Sequence, residues 1–186
     1  MSLYKEHMKT RPKIEDIIPE FVGGSLQKQL LDFVAWMQKN KMKLGIAGAN
    51  LWNAKCKGKS IFGVALGRDY GRNNKTWGVS LNLNNLAKYE DDVINEGLQE
   101  IVWRYIRYCA HCSRCTPGMD MALLGKEFKN ICSGLILFIN DPDEIMLNGI
   151  KRLIELEKQV RVNAKSSCYK RKEVNQCQSK KPSKKT

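Results

Sequence analysis

Apolar positions near the start of the chain recur every three to four residues. Ile14, Ile17, Ile18, Phe21 and Val22 predict a short helix that stops at Gly23-Gly24. Ser25 is then placed to cap a second helix, because its hydroxyl can accept a hydrogen bond from an early backbone N–H. Leu26, Leu30, Phe33, Val34 and Met37 fall at i, i+4, i+7, i+8 and i+11, one face of an amphipathic helix that has to be buried against something.

The period then changes to two. Trp52, Ala54 and Cys56 alternate with polar residues up to Lys57-Gly58-Lys59, the apolar stretch Ile61 to Leu66 follows, and the pair reads as a hairpin. After the polar loop from Gly67 to Lys75, Trp77, Val79, Leu81 and Leu83 mark a third, half-buried strand. Short links between successive strands imply antiparallel pairing. From Tyr89 the helical period returns: the acidic opening Glu90, Asp91 and Asp92 suits the positive end of a helix, and Ile94, Leu98, Ile101, Val102 and Tyr105 share a face. Pro117-Gly118 is the expected stop. One or two strands are expected through Ala122 to Leu124 and Leu135 to Phe138. Asp141-Pro142-Asp143-Glu144 reads as a helix start, with a capping acid and Pro at the first helical position; Ile145, Leu147, Ile150, Leu153, Ile154 and Leu156 carry that helix to about Val162. The expected fold class is α+β: a mostly antiparallel sheet of three to five strands with helices packed on one face, in approximate order α-α-β-β-β-α-β-α.

Composition sets the boundaries. The 186 residues are 42% apolar and include four Trp, enough for one domain with a real core, and a chain of this size buries roughly 70% of its unfolded surface. Net charge is +13. Its distribution is uneven: Asn163 to Thr186 carries eight Lys and Arg against Glu173 alone, or +7, leaving +6 for the rest. Residues 1–162 are therefore expected to form the single domain, with 1–12 frayed, and 163–186 a disordered basic tail. Lys165, Lys170, Arg171, Lys172, Lys180, Lys181, Lys184 and Lys185 could neutralise phosphates, so non-specific nucleic-acid contact through the tail is one candidate partner reading. Met1 to Lys13 is charged and lacks the apolar core of a secretory leader. The longest strongly apolar run, Leu135 to Ile139, is far short of the roughly 20 residues that span a bilayer, so a cytoplasmic location without membrane association is expected.

Seven cysteines in a reducing compartment favour thiols, metal ligands or redox chemistry over structural disulfides. The most specific motif is Cys109-Ala110-His111-Cys112-Ser113-Arg114-Cys115, a C-x2-C-x2-C run with Cys132 downstream. Close-set thiolates converge on one ion at little entropic cost, and a distant fourth ligand closes the tetrahedron; Cys109, Cys112, Cys115 and Cys132 are the candidate zinc ligands, with His111 as the alternative fourth. An iron–sulfur cluster is the weaker metal reading. A cysteine three residues after Cys115 is absent, and Ser133 rather than proline follows Cys132. If the preceding helix continues, Leu98, Tyr105, Cys109 and Cys112 share one face, so two of these cysteines would simply be small buried hydrophobes; Cys115 lies off that face. A thiol redox site is the third reading, disfavoured because a pair near a helix C-terminus meets the negative end of the dipole.

Other motifs carry less. Lys57-Gly58-Lys59-Ser60 contains the end of a phosphate loop, but Asn53 stands where its first glycine is required and a strand follows where a helix is needed. The loop from Gly67 through Arg68 to Arg72 reads as a solvated connection. The only histidines are His7 and His111; Glu96 and Glu100, four apart on one expected helix, could form a carboxylate pair for acid–base work, although helical acids are commonly just exposed. An enzymatic role finds no support in these patterns.

Cys109, Pro117-Gly118, the string Gly125-Lys126-Glu127-Phe128-Lys129-Asn130-Ile131-Cys132, and Asn140-Asp141-Pro142-Asp143 together make the chain, over residues 25 to 160, similar to a family of small uncharacterised bacterial proteins, a domain of unknown function with a cysteine-rich segment before the final helix. The resemblance implies that Cys132 belongs with the upstream cysteines and implies no activity. The sequence points to a non-enzymatic binding or regulatory domain with a zinc site, the alternatives being a thiol or iron–sulfur redox protein and nucleic-acid association through the tail.

Overall fold

The alternating middle of the chain folds as a five-stranded antiparallel sheet in the computed structural model, which describes residues 3–67, 76–110 and 118–177, with side chains for 5–67, 76–110 and 118–163. The sheet comprises β1 (Leu44–Gly48), β2 (Leu51–Cys56), β3 (Lys59–Leu66), β4 (Trp77–Asn82) and, after a long excursion, β7 (Ile136–Asn140). Cross-strand register lines up Trp52, Val64, Val79 and Ile139 in one row and Ala54, Phe62, Leu81 and Leu137 in the next. All eight side chains are buried. The expected turn is present: Lys57 and Gly58 both have positive φ, 51° and 79°, as a two-residue hairpin matched to strand twist requires.

Helices cover the apolar face of the sheet. α1 (Leu3–Thr10) and α2 (Ile14–Phe21) precede α3 (Gly24–Lys39), which buries Leu30, Phe33, Val34 and Met37. The Phe33 ring lies 6.3 Å from Phe62 and 6.4 Å from Trp77, so the predicted helix face and the predicted strand faces form one core. Ser25 does not cap α3. The cap is Gly23, with no side-chain hydrogen bond. His7, expected in a frayed end, is 7% exposed on α1 and tilts against Trp52 with ring centroids 6.0 Å apart. The opposite face of the sheet carries a row of Asn53, Gly63, Ser80 and Phe138, and a Cβ at Gly63 would collide with Asn53 Oδ1 and Ser80 Oγ.

The helix expected from Tyr89 to Pro117 is broken and ends early. Past a single 3-10 turn at Leu86–Lys88, α4 (Glu90–Asn95) and α5 (Gln99–Tyr105) are separated at Gly97, whose φ is +69°. Ile106 is already extended and bridges Leu137 on β7. Pairing with the sheet edge supplies partners for the backbone that further helix would otherwise satisfy internally. The strands expected through Ala122 to Leu124 and Leu135 to Phe138 correspond to β5 (Met119–Leu123) and β7, while β6 (Lys126–Ile131), which pairs with β5 in a second sheet, was not expected.

α6 (Glu144–Cys177) begins at the predicted place with a different cap. Asp143 Oδ1 accepts the Met146 N–H at 2.7 Å, whereas Asp141 turns back to accept from Trp77 N–H at 3.1 Å and the Thr76 hydroxyl at 2.5 Å. Leu147, Ile150, Leu153, Ile154 and Leu156 are buried as expected, but Ile145 is 85% exposed. Five residues before Ile150 is well off the inward stripe at 100° per residue. The helix continues past Val162; the side chains expected in the basic tail fall outside the described residues.

Candidate functional site

Ending α5 at Tyr105 changes the setting of the cysteines. Residues 106–109 run as extended chain between the two sheets: Ile106 bridges Leu137, and Tyr108 bridges Ile131. Cys109 N–H donates to Asn130 O at 2.7 Å and Cys132 N–H to Arg107 O at 2.8 Å. In an antiparallel ladder the residues flanking one bridged pair point the opposite way from that pair, so Arg107, Cys109, Asn130 and Cys132 share one side. Cys132 is 8% exposed and Cys109 half-buried. The expectation that Cys109 continues the helical face of Leu98 and Tyr105 is therefore overturned, and with it the objection that this cysteine sits at the negative end of a helix. Gly118 returns against the same spot, where a Cβ would fall 2.6 Å from Cys109 Cβ. His111, Cys112 and Cys115 lie outside the described residues, as does the Arg68 to Arg72 loop. Among the described residues no three His, Cys, Asp or Glu side chains converge as metal ligands do.

The carboxylate pair dissolves. Glu96 caps the end of α4 while Glu100 lies on α5 beyond the break. Glu96 is held by Arg152, its two oxygens 2.7 and 3.0 Å from Nε, and this hydrogen bonding lowers its pKa.

A buried polar cluster escaped the sequence reading. Glu157 is fully buried on α6 and its carboxylate accepts from Tyr89 OH at 2.7 Å, Asn85 Nδ2 at 2.8 Å, Asn85 N–H at 3.2 Å and Arg161 Nε at 2.7 Å. Arg161 also donates to the carbonyls of Ser60 and Asn82, at 2.9 and 3.2 Å. Burial, reinforced by the Glu157 charge and hydrogen bond, pushes the Tyr89 phenol far above its usual range. Each carboxylate oxygen accepts two hydrogen bonds from within the protein, and the group is closed to solvent. The cluster joins α6 to the ends of β3 and β4, and it is a structural lock. Its only sequence signal is that Glu157 falls seven residues after Ile150 and three after Ile154, inside the apolar stripe.

A cavity of about 830 Å³ opens at the β1 edge, between that strand and the ends of α1, α2 and α3. Its wall is apolar, with Ile14, Val34, Met37 and Trp52 each at most 2% exposed. No protein-family model, no curated protein and no solved structure matches the chain. No helix among the described residues is long and apolar enough to cross a membrane.

Proposed function

We propose that this chain is a non-enzymatic binding protein in which Cys109, Cys112, Cys115 and Cys132 hold one structural zinc, with His111 as the substitute fourth ligand. The observation that carries the reading is the Tyr108–Ile131 bridge, which turns Cys109 and Cys132 to the same side of the ladder although 22 positions separate them in the chain. The return of Gly118 against Cys109 supports it further. In sequence Cys112 is three residues from Cys109 and Cys115 three from Gly118, the close spacing that favours ligands to one ion. Zinc suits an all-thiolate set and would fasten the segment that joins the two sheets.

Purified without chelator, the full chain carries about one zinc, and Cys115→Ser loses the metal and melts at lower temperature, since metal binding and folding are coupled. Metal-free protein whose melting is unchanged in Cys115→Ser contradicts the reading. Thiol exchange is the second reading, favoured by the early end of α5, which takes Cys109 away from the negative end of a helix. Its signature is a metal-free protein with a thiol that alkylates rapidly below neutral pH.

A further inference from the structure

The chemistry around the β1 cavity is separated by polarity. The wall holds Ile14, Val34 and Trp52 together with Met8, Met37 and Met42, three of the seven methionines in the chain. Methionine side chains are unbranched and adaptable, and they suit a flexible aliphatic guest better than a rigid one. The volume lies within the range of small-molecule sites, which are largely apolar with a few polar groups that fix orientation. Trp52 Nε1–H donates to Pro12 O at 3.2 Å and so pins the Arg11 to Lys13 connection beside the wall.

The mouth is cationic. Arg11, Lys13, Lys41 and Lys43 line it and are all exposed, against one acid, Glu15. Glu15 is engaged through its Oε1, which accepts from Gln38 Nε2. None of the four cations makes an ion pair or a side-chain hydrogen bond among the described residues, whereas Arg152 and Arg161 are both paired. Basic residues at the ends of helices ordinarily offset the dipole, which accounts for Arg11 after α1 and Lys41 after α3. It does not account for the other two. Lys13 is the N-cap of α2, where positive charge is unfavourable and no side chain supplies the cap, and Lys43 precedes a strand.

We infer that this cavity binds an amphipathic anion, an unbranched aliphatic chain ending in a carboxylate, with the chain against the methionine wall and the carboxylate among Lys13, Lys43 and their neighbours. A cationic or uncharged head on the same chain lacks the charge match. Binding should weaken about fourfold for each methylene removed, the equivalent of about 0.8 kcal/mol per group.

Titration calorimetry of the full chain with dodecanoate and with dodecyltrimethylammonium tests this. The expected result is one dodecanoate per chain, bound at least tenfold more tightly than the ammonium compound. Lys13→Glu/Lys43→Glu should remove that preference; both side chains are exposed, so its melting temperature should stay near that of the parent. Val34→Trp, which fills the wall, should abolish binding of both. No binding of dodecanoate overturns the inference, as does equal affinity for the two head groups in the parent or unchanged binding in the filled variant.

Discussion

The two edges of the main sheet are finished in opposite ways. At the β7 edge the chain is tied down repeatedly: Ile106 extends the sheet, Tyr108 crosses to β6, and Cys109, Asn130 and Gly118 crowd one spot. At the β1 edge the same sheet ends beside a hollow, and four basic side chains stand around it without acidic partners among the described residues. Crowding that leaves no space for a Cβ marks a place where chain position matters. Charge left without an internal partner beside an apolar void marks a place where something external can be accommodated. Between the edges, the Glu157 cluster uses its charges entirely on itself, so burial of charge alone does not identify a site.

The largest expected effect comes from breaking the lock on the inner strands that lie between the two edges. Glu157→Ala leaves Arg161 buried without its carboxylate and should cost about 3–5 kcal/mol in denaturant unfolding. Loss below about 1 kcal/mol would mean that the cluster is not a structural lock. Tyr89→Phe deprives the carboxylate of one hydrogen bond and should cost about 1.5–3 kcal/mol at neutral pH. Because the folded-state pKa of Tyr89 is raised, its contribution is fully present below the unfolded value of about 10 and is lost as pH rises beyond it. The parent should lose stability above that pH more steeply than Tyr89→Phe does.

Two glycines sharpen the contrast directly. Gly118→Ala must displace Cys109 or Asn130 and should cost about 1–3 kcal/mol in the same unfolding experiment. Gly45→Ala, on the cavity edge, meets nothing within 4 Å and has no positive φ; it should be neutral or stabilising by up to about 1 kcal/mol. Equal losses at the two positions would erase the distinction between the edges. The smallest loss belongs to the half-exposed Arg152–Glu96 pair, where Arg152→Ala should cost about 0.2–1 kcal/mol. The Glu96 pKa is lowered, so this contribution is present above the ordinary carboxylate value near 4.5 and disappears as pH falls through the lowered one. A thermal melt series from pH 7 to 3 should show the two proteins converging.

Much of the fold was legible because local pattern and tertiary outcome agree. The α3 stripe from Leu30 to Met37, the Lys57-Gly58 turn and the alternation from Trp77 follow the pattern of the sequence, although Leu26, expected on the same α3 face, is exposed. β1 was missed because Gly45, Ala47 and Gly48 dilute its two apolar residues, Leu44 and Ile46. The end of α5 was missed for a different reason: the helical period of Leu98 to Tyr105 carries no mark of the bridge from Ile106 to Leu137, which is a tertiary pairing. Motif spacing singled out the cysteines, and the ladder adds that Cys109 and Cys132 share a side. The cavity had no linear signature at all. Its wall is drawn from α1, α2, α3, β1 and β2, and only the fold brings Met8, Met37 and Trp52 together.

The central claim, that the crowded edge is closed by a metal, is tested most directly by cobalt substitution of the full chain. Binding of one equivalent should produce an intense thiolate-to-cobalt charge-transfer band and the visible spectrum of a tetrahedral site, both removed by stoichiometric zinc. A chain that takes up no cobalt, or binds it without the thiolate band, contradicts the account.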